Sequence, residues 1–270
     1  MGSLSINNDV LRYSRQIILE GFGRDGQQKL RKAKVLVVGA GGLGSPVLLY
    51  LAAAGVGNIG IVDFDSVTVS NLNRQVIHFT NDIGSRKTDS AEKKIKRLNP
   101  EINVIKHNTK ISIDNAEEII TGYDVVVDAT DNFTARYIVS DCCFFLKKSL
   151  VEGAATGYEG IIMTIIPGKT PCYRCLYPKP PEDGVIPTCN DTGILGAITG
   201  VIGSLQALEV IKMLTGLGEL VAWKLLTYDL MSAGFREIKW KKRDNCPLCG
   251  KEPVIKELDQ YNIKCRLKEI

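Results

Sequence analysis

An α/β fold is predicted: a mostly parallel sheet with helices on both faces, extended by antiparallel strands in the C-terminal half. Three observations carry this. Short apolar runs alternate with helical patterns through the first 157 residues. Those runs are apolar throughout rather than alternating, the mark of parallel strands covered on both faces. And "KVLVVGAGGLGS" joins a buried strand to a glycine turn and a helix start, the opening of a Rossmann-like nucleotide-binding unit.

The elements follow in order. Residues 9–19 and 24–32 read as two short helices ahead of the first strand. The helix after the glycine turn runs to about Ala54 and stops at Gly55. "GNIGIVDFD" is the second strand, and "SRKTDSAEKKIKRLNP" a helix stopped by Pro100. "INVIKHN" is the third strand, and "IDNAEEIITG" a helix with Asp114 as its cap. "YDVVVDATD" is the fourth strand, followed by a helix from Asn132 to about Lys147; "SLVEGAA" is the fifth. After Gly157 the pattern changes. "YEGIIMTIIPG" is a longer strand, the proline-rich stretch from Lys169 to Gly193 a long loop, and "ILGAITGVIGSLQALEVIKMLTG" an apolar helix buried on most sides. "LVAWKLLTYDL" and "GFREIKW" pair as a hairpin. The expected organisation is one domain: a nucleotide-binding half (1–157), a second half (158–250) and a tail (251–270).

The chain has 270 residues, 44% hydrophobic and 24% charged, enough for a sizeable core. A net charge of +4 is too small to argue for nucleic acid. Lys93, Lys94, Lys96 and Arg97 read as a solvated helix face opposite Ala91, Ile95 and Leu98. No uninterrupted apolar stretch is read as a membrane span, and "MGSLSINNDVLRYSRQ" lacks the apolar core of a signal peptide. The glycine after Met1 matches a myristoylation pattern with nothing else to support it. A cytoplasmic protein is expected, and its eight cysteines then suggest metal or chemistry before disulfides.

Gly39, Gly41 and Gly44 form G-x-G-x-x-G directly after a strand. Such glycines let backbone N–H groups approach a phosphate at the positive end of a helix. Asp63, at the end of the second strand, is placed to accept from ribose hydroxyls. This much fits either a dinucleotide or a nucleotide. The stretch "VDFDSVTVSNLNRQ" separates them, because it sets Asn71, Asn73, Arg74 and Gln75 just past Asp63. Arg74 is a planar, permanently charged fork suited to phosphate oxygens, and Lys87 adds a point charge at the start of the next helix. Asp131 follows the fourth strand at the carboxyl edge of the sheet. Taken singly, Arg74 and Lys87 could be surface charges. As a set they suit a reaction that builds charge on a triphosphate, with the cations neutralising phosphate oxygens and an aspartate holding Mg²⁺.

Cys172-x-x-Cys175 and Cys246-x-x-Cys249 offer four thiolates, the donor set of a closed structural Zn²⁺ site. Their separation, about seventy residues, departs from a compact zinc ribbon and requires the two ends of the C-terminal half to meet. Cys189, in "PTCNDTG" before the apolar helix, reads equally well as a nucleophile or acyl acceptor and as a tolerated loop thiol. Cys142 and Cys143 read as core, and Cys265 has no assigned role. His78 and His107 lie apart, with packing or surface the reading for His107, and no Ser-His-Asp set can be assembled.

The ordered motifs "GAGGLGS", "DFDSVTVSNLNRQ", "DATDNFTAR", "PCYRCLYP", "GVIGSLQALEVIKML" and "CPLCG" together resemble the MoeB/ThiF/HesA family. These are ATP-dependent adenylyltransferases of ubiquitin-like sulfur carrier proteins, similar to the adenylation domains of ubiquitin-activating enzymes. The resemblance covers nearly the whole chain. It implies that a carrier's C-terminal glycine carboxylate attacks the α-phosphorus of ATP, pyrophosphate leaves, and a sulfur donor later converts the acyl-adenylate to a thiocarboxylate. By this resemblance Arg74 and Lys87 match the phosphate-binding cations, Asn71 an amide near the phosphates, Asp63 the ribose ligand and Asp131 the Mg²⁺ aspartate. The implied nucleotide site also takes in Gly39, Gly41, Gly42, Gly44, Asp65, Ser70, Gln75 and Asn132.

Arg15, in "RYSRQ", matches an arginine that reaches the partner subunit's phosphates, which implies a homodimer with composite sites. Cys172, Cys175, Cys246 and Cys249 match the family's zinc ligands, and Cys189 its crossover-loop cysteine, covalently engaged in some members and dispensable in others. Nothing like a rhodanese domain follows "CPLCG", so a separate donor such as a cysteine desulfurase or rhodanese is expected. The partner is expected to be a ubiquitin-like carrier ending in Gly-Gly. Molybdopterin, thiamine and other sulfur routes would use nearly the same catalytic residues. Two competing readings are a nicotinamide-dependent oxidoreductase, which leaves Arg15, Arg74, Lys87 and Asp131 unexplained, and a zinc-stapled scaffold without chemistry.

Overall fold

The computed structural model describes residues 4–180 and 193–258, with side chains from residue 11 onward; Cys189 and Cys265 lie outside the described residues. These form one eight-stranded sheet in the order β3-β2-β1-β4-β5-β6-β7-β8. Strands β1 (Lys34–Val38), β2 (Asn58–Val62), β3 (Asn103–His107), β4 (Val125–Asp128) and β5 (Ser149–Thr156) are parallel. Strands β6 (Glu159–Ile165), β7 (Lys224–Asp229) and β8 (Gly234–Lys239) continue the sheet antiparallel, as the sequence predicts.

Alternate residues of each buried strand face opposite cores. Val35 and Val37 of β1 join a core with α2 (Gly23–Lys32), α3 (Gly44–Ala54), α4 (Lys87–Leu98) and α8 (Gly196–Thr215). Leu36 and Val38 join the other core, with α5 (Ala116–Thr121), α6 (Phe133–Phe145) and the four metal-type cysteines. Cys142 and Cys143 are buried there, as expected for core residues. Burial on both faces explains why β1, β2, β4 and β5 read as continuous apolar runs. Strand β3 differs: it is an edge strand with exposed or half-buried residues throughout.

Several local expectations need correction. The first helix, α1, spans Leu4–Ile17 rather than 9–19, and the chain then turns through Gly21 and Gly23, both at positive φ. Asp114 does not cap α5; Asn115 occupies that position, and its Oδ1 accepts from the Ser112 N–H. In α4, Leu98 is exposed, whereas Lys94 is mostly buried and paired with Asp82. The stretch read as one long loop contains a single helical turn, α7 (Tyr173–Leu176), between the first two metal-type cysteines. Finally, α8 is long and apolar enough, by length and composition, to cross a membrane. Here it packs on α3, α2, β5 and β6, with 44% of its 18-residue apolar stretch buried, so it is less enclosed than the expected burial on most sides.

Candidate nucleotide site and cysteine cluster

The sheet order reverses between β1 and β4, the crevice where open α/β sheets bind ligands. The glycine turn leaves β1 at this point. Gly39 has φ 98°, and a Cβ there would lie 2.7 Å from the Ala129 carbonyl; one at Gly44 would lie 1.9 Å from the Gly39 carbonyl. The turn therefore closes only with glycine at both positions. The Ala129 N–H donates to the Val38 carbonyl, bringing the residues leading to Asp131 against the glycine turn.

The peptide groups flanking Ala40 are clamped. Asp63 accepts from the Ala40 N–H and the Asp65 N–H, both at 2.8 Å. His78 Nε2 donates to the Ala40 carbonyl at 2.9 Å, and its Nδ1 lies 2.8 Å from Ser90 Oγ on α4. A carbonyl can only accept, so Nε2 carries the proton. Burial raises the Asp63 carboxyl, with Lys87 opposing, and burial lowers the His78 imidazole. Sequence reasoning gave His78 no role, yet it ties α4 to the glycine turn. Asp63 fastens the turn while retaining a further lone pair on each oxygen for ribose.

Lys87 is buried, its Nζ 2.7 Å from Asp65, while Asp65 is half exposed. Its N–H also donates to the Asp65 carbonyl. Gln75 is buried with its amide beside Gly41, and its Oε1 has no hydrogen-bond partner among the described residues. An unmet buried acceptor next to the glycine turn fits a donor supplied by a bound nucleotide. Arg74 is half-buried, its Nη1 donating to the Ser70 carbonyl and to Asn73 Oδ1. Asn71 Oδ1 accepts from the Thr68 N–H, shaping the turn that carries Arg74. The start of α8 abuts this segment: a Cβ on Gly196 would meet the Asn73 carbonyl at 2.3 Å. Asp131 is exposed, in the turn from β4 to α6, and Asn132 caps α6 through its Oδ1 to the Ala135 N–H. A single carboxylate at this edge fits Mg²⁺, which keeps several waters and is bound through one or two carboxylates and phosphates.

Arg15 does not join this group. Tyr13 and Gln16 flank it on α1; Gln16 Nε2 donates to the Ala54 carbonyl, and Tyr13 pairs with Asn99. Those contacts lie at the far end of α3 from the glycine turn, and an 11-residue helix is about 16 Å long. The cysteines form a separate cluster. Their four Sγ atoms lie within 4.8 Å of one another and all four residues are buried. Cys172 Sγ is 3.9 Å from Cys175 and 3.5 Å from Cys246, and Cys175 Sγ is 3.3 Å from Cys249. A tetrahedral ion with about 2.3 Å bonds to sulfur gives edges of roughly 3.8 Å, so this cluster could hold a metal ion. The cluster joins α7 to the segment after β8, the meeting of the two ends of the C-terminal half that the cysteine pairs require.

Three charged residues at the β4–β5 edge went unread in the sequence: Asp128, Arg136 and Glu152. The available signal was an acid in each of two otherwise apolar strands, "VVVD" and "LVEGAA"; buried charge demands a partner.

Comparison with known proteins agrees with this architecture. The ThiF family model matches residues 13–248. The chain is 48% identical over 263 residues to "Adenylyltransferase and sulfurtransferase MOCS3" of Culex quinquefasciatus, covering 97% of this chain and 60% of that protein. It is 46% identical over 262 residues to "Sulfur carrier protein adenylyltransferase" of Thermus thermophilus, covering 95% and 97%. The chain thus spans about three-fifths of the length of the MOCS3 relatives it matches. Among solved structures, E. coli MccB with ATP superimposes with a TM-score of 0.79 at 25% identity, over 88% of this chain and 74% of that one.

Proposed function

The chain belongs to the ThiF family, and from that membership and the geometry of its nucleotide crevice we propose that it adenylates the C-terminal glycine carboxylate of a ubiquitin-like sulfur carrier protein with ATP. The observation that carries the reading is the grouping of Lys87, Asp63, Asp65, Gln75 and the Asp131 turn around one glycine turn at the sheet's switch point. A hydride-transfer site has no use for this collection. The relatives' names support the carrier as substrate.

In the proposed reaction the carboxylate oxygen bonds to the α-phosphorus, the bond to the β-phosphate oxygen breaks, and pyrophosphate leaves. Backbone N–H groups of the glycine turn and the start of α3 receive phosphate oxygens. Lys87 and Arg74 neutralise the charge that moves to the leaving group, which lowers the barrier more than it lowers the ground state. Asp63 orients the ribose. Asp131 is the residue that would hold Mg²⁺, which would supply further charge neutralisation on the phosphates. The step needs no thiol, so Cys189 belongs to whatever follows it.

The position of Arg15, remote from its own glycine turn, supports its acting on a second subunit's site in a homodimer. Residues 1–157 serve the nucleotide, and 158–250 the carrier and a structural Zn²⁺ held by Cys172, Cys175, Cys246 and Cys249. The proposed location is the cytoplasm, where thiols of this kind stay reduced and available to a metal. The test is exchange of labelled pyrophosphate into ATP by the purified protein with a Gly-Gly-ending carrier; exchange that ignores the carrier would remove the assignment.

A further inference from the structure

Beside the nucleotide crevice lies a buried charge cluster that the mechanism has not used. Asp128 and Glu152 are register partners on β4 and β5, and neither is exposed. Arg136, one turn into α6, is 6% exposed; its Nη1 lies 2.5 Å from Glu152 Oε1, and its Nη2 donates to the Thr130 carbonyl at 2.8 Å. Asp128 Oδ1 accepts from the Thr130 N–H at 2.8 Å and the Thr130 hydroxyl at 2.6 Å. Gln206 of α8 donates to the Asp128 carbonyl at 2.7 Å. Thr130 is therefore held by its N–H, its hydroxyl and its carbonyl, and Asp131 is the next residue.

Two carboxyls lie near one guanidinium, and Glu152 alone pairs with it directly. Asp128 Oδ2 and Glu152 Oε2 are both buried and have no other partner among the described residues. A proton retained on Glu152 answers the unpartnered oxygens and reduces the buried charge beside Arg136. Burial pushes the Glu152 carboxyl well above its ordinary range despite Arg136, and Asp128 adds to the rise.

We infer that Arg136 and Glu152 are positioning residues for adenylation: Glu152 aims the guanidinium, the guanidinium fixes the Thr130 carbonyl, and the fixed turn presents Asp131 toward the glycine turn. This rests on the role proposed for Asp131. Neither residue touches substrate. Their effect is to hold one carboxylate in register, and a misplacement of about 1 Å at such a group can cost on the order of a hundredfold in rate.

The test compares Arg136→Lys, Glu152→Leu, Glu152→Gln and Asp131→Ala in carrier-dependent pyrophosphate exchange. It adds Mg²⁺ titrations of thermal stability at saturating ATP, and hydrogen exchange at residues 129–132. A lysine offers one nitrogen in place of the fixed fork that reaches Glu152 and the Thr130 carbonyl, and leucine leaves Arg136 unanchored. Each should lower kcat about 10–100-fold, with KM for ATP changed less than ~threefold. Each should also raise the Mg²⁺ concentration needed for the stability shift and speed exchange at 129–132. Glu152→Gln offers an oxygen to Arg136 and an N–H to Asp128, so it should recover most of what Glu152→Leu loses. Should Glu152→Leu not fold, Arg136→Lys carries the comparison. Unchanged kcat and unchanged exchange protection in Arg136→Lys, with Asp131→Ala inactive, would overturn the inference alone. Full activity in Asp131→Ala would remove the reading beneath it.

Discussion

Replacing Lys87 by methionine separates the catalytic from the structural role of the buried ammonium. Methionine keeps most of the apolar stem in its cavity and removes only the charge. The ion pair with Asp65 is 2.7 Å long, with the lysine side chain 6% and the aspartate 46% exposed. At an effective dielectric of 20, two unit charges 4 Å apart attract by ~4 kcal/mol. Water at the half-exposed aspartate takes most of that back, and the net loss should be near the upper end for surface pairs, about 1 kcal/mol. For a chain of this size that is a fall of about 2–4 °C in Tm. A lost charge stabiliser at a transferring phosphate costs far more, about 2.7–4 kcal/mol or 10²–10³-fold in kcat. Scanning calorimetry and carrier-dependent pyrophosphate exchange, run on the same preparation, read the two effects. The expected outcome is a nearly wild-type fold with exchange reduced at least a hundredfold. A fall of ~10 °C in Tm with exchange within about tenfold of wild type would show that Lys87 is a structural ion-pair residue and refute the reasoning.

Other outcomes follow from the same geometry. Cys246→Ser should lower metal content and Tm together, since metal binding at such a site contributes folding free energy; loss of activity with full zinc and full stability would contradict a structural role. Co-expressing Arg15→Ala with Arg74→Ala chains should restore some exchange activity, because one site of the mixed dimer then has both arginines. No recovery in verified heterodimers would place Arg15 outside the partner's site. His78 and His107 are both held below the ordinary imidazole range by burial, so the unfolded chain binds more protons as pH falls below about 6.5. Stability should be full above that pH and decline as pH drops toward their lowered values. His78→Gln should flatten this decline, and an unchanged Tm–pH curve in that variant would show that His78 does not contribute.

Sequence legibility followed locality. The central parallel strands β1, β2 and β4 were visible because burial on both faces makes them apolar runs, and Gly39 to Gly44 announced a turn that only glycine can close. The cysteine pairs showed their chemistry and required their meeting across about seventy residues, but not that a single turn of helix, α7, and the segment after β8 would bring them together. The Asp128–Arg136–Glu152 cluster depended on strand register, so its members were seen only as an acid in each of two apolar strands and an arginine within a recognised motif. His78 was hidden similarly, since its partners Ala40 and Ser90 lie 38 and 12 residues away. Asp114 misled because local cap preference is weak against the turn that Asn115 makes with Ser112. Leu98 was assigned to the core by its position in the helical period, yet it lies exposed in the last turn of α4.

The most direct measurement is exchange of labelled pyrophosphate into ATP with a purified carrier and with the same carrier amidated at its C-terminal glycine. The amide differs only in lacking the attacking carboxylate oxygen. Exchange should be rapid with the free carboxylate, absent with the amide, and abolished with the free carboxylate by Asp131→Ala. Equal exchange with the two carriers, or with none, would contradict adenylation of the carrier's terminus by this site.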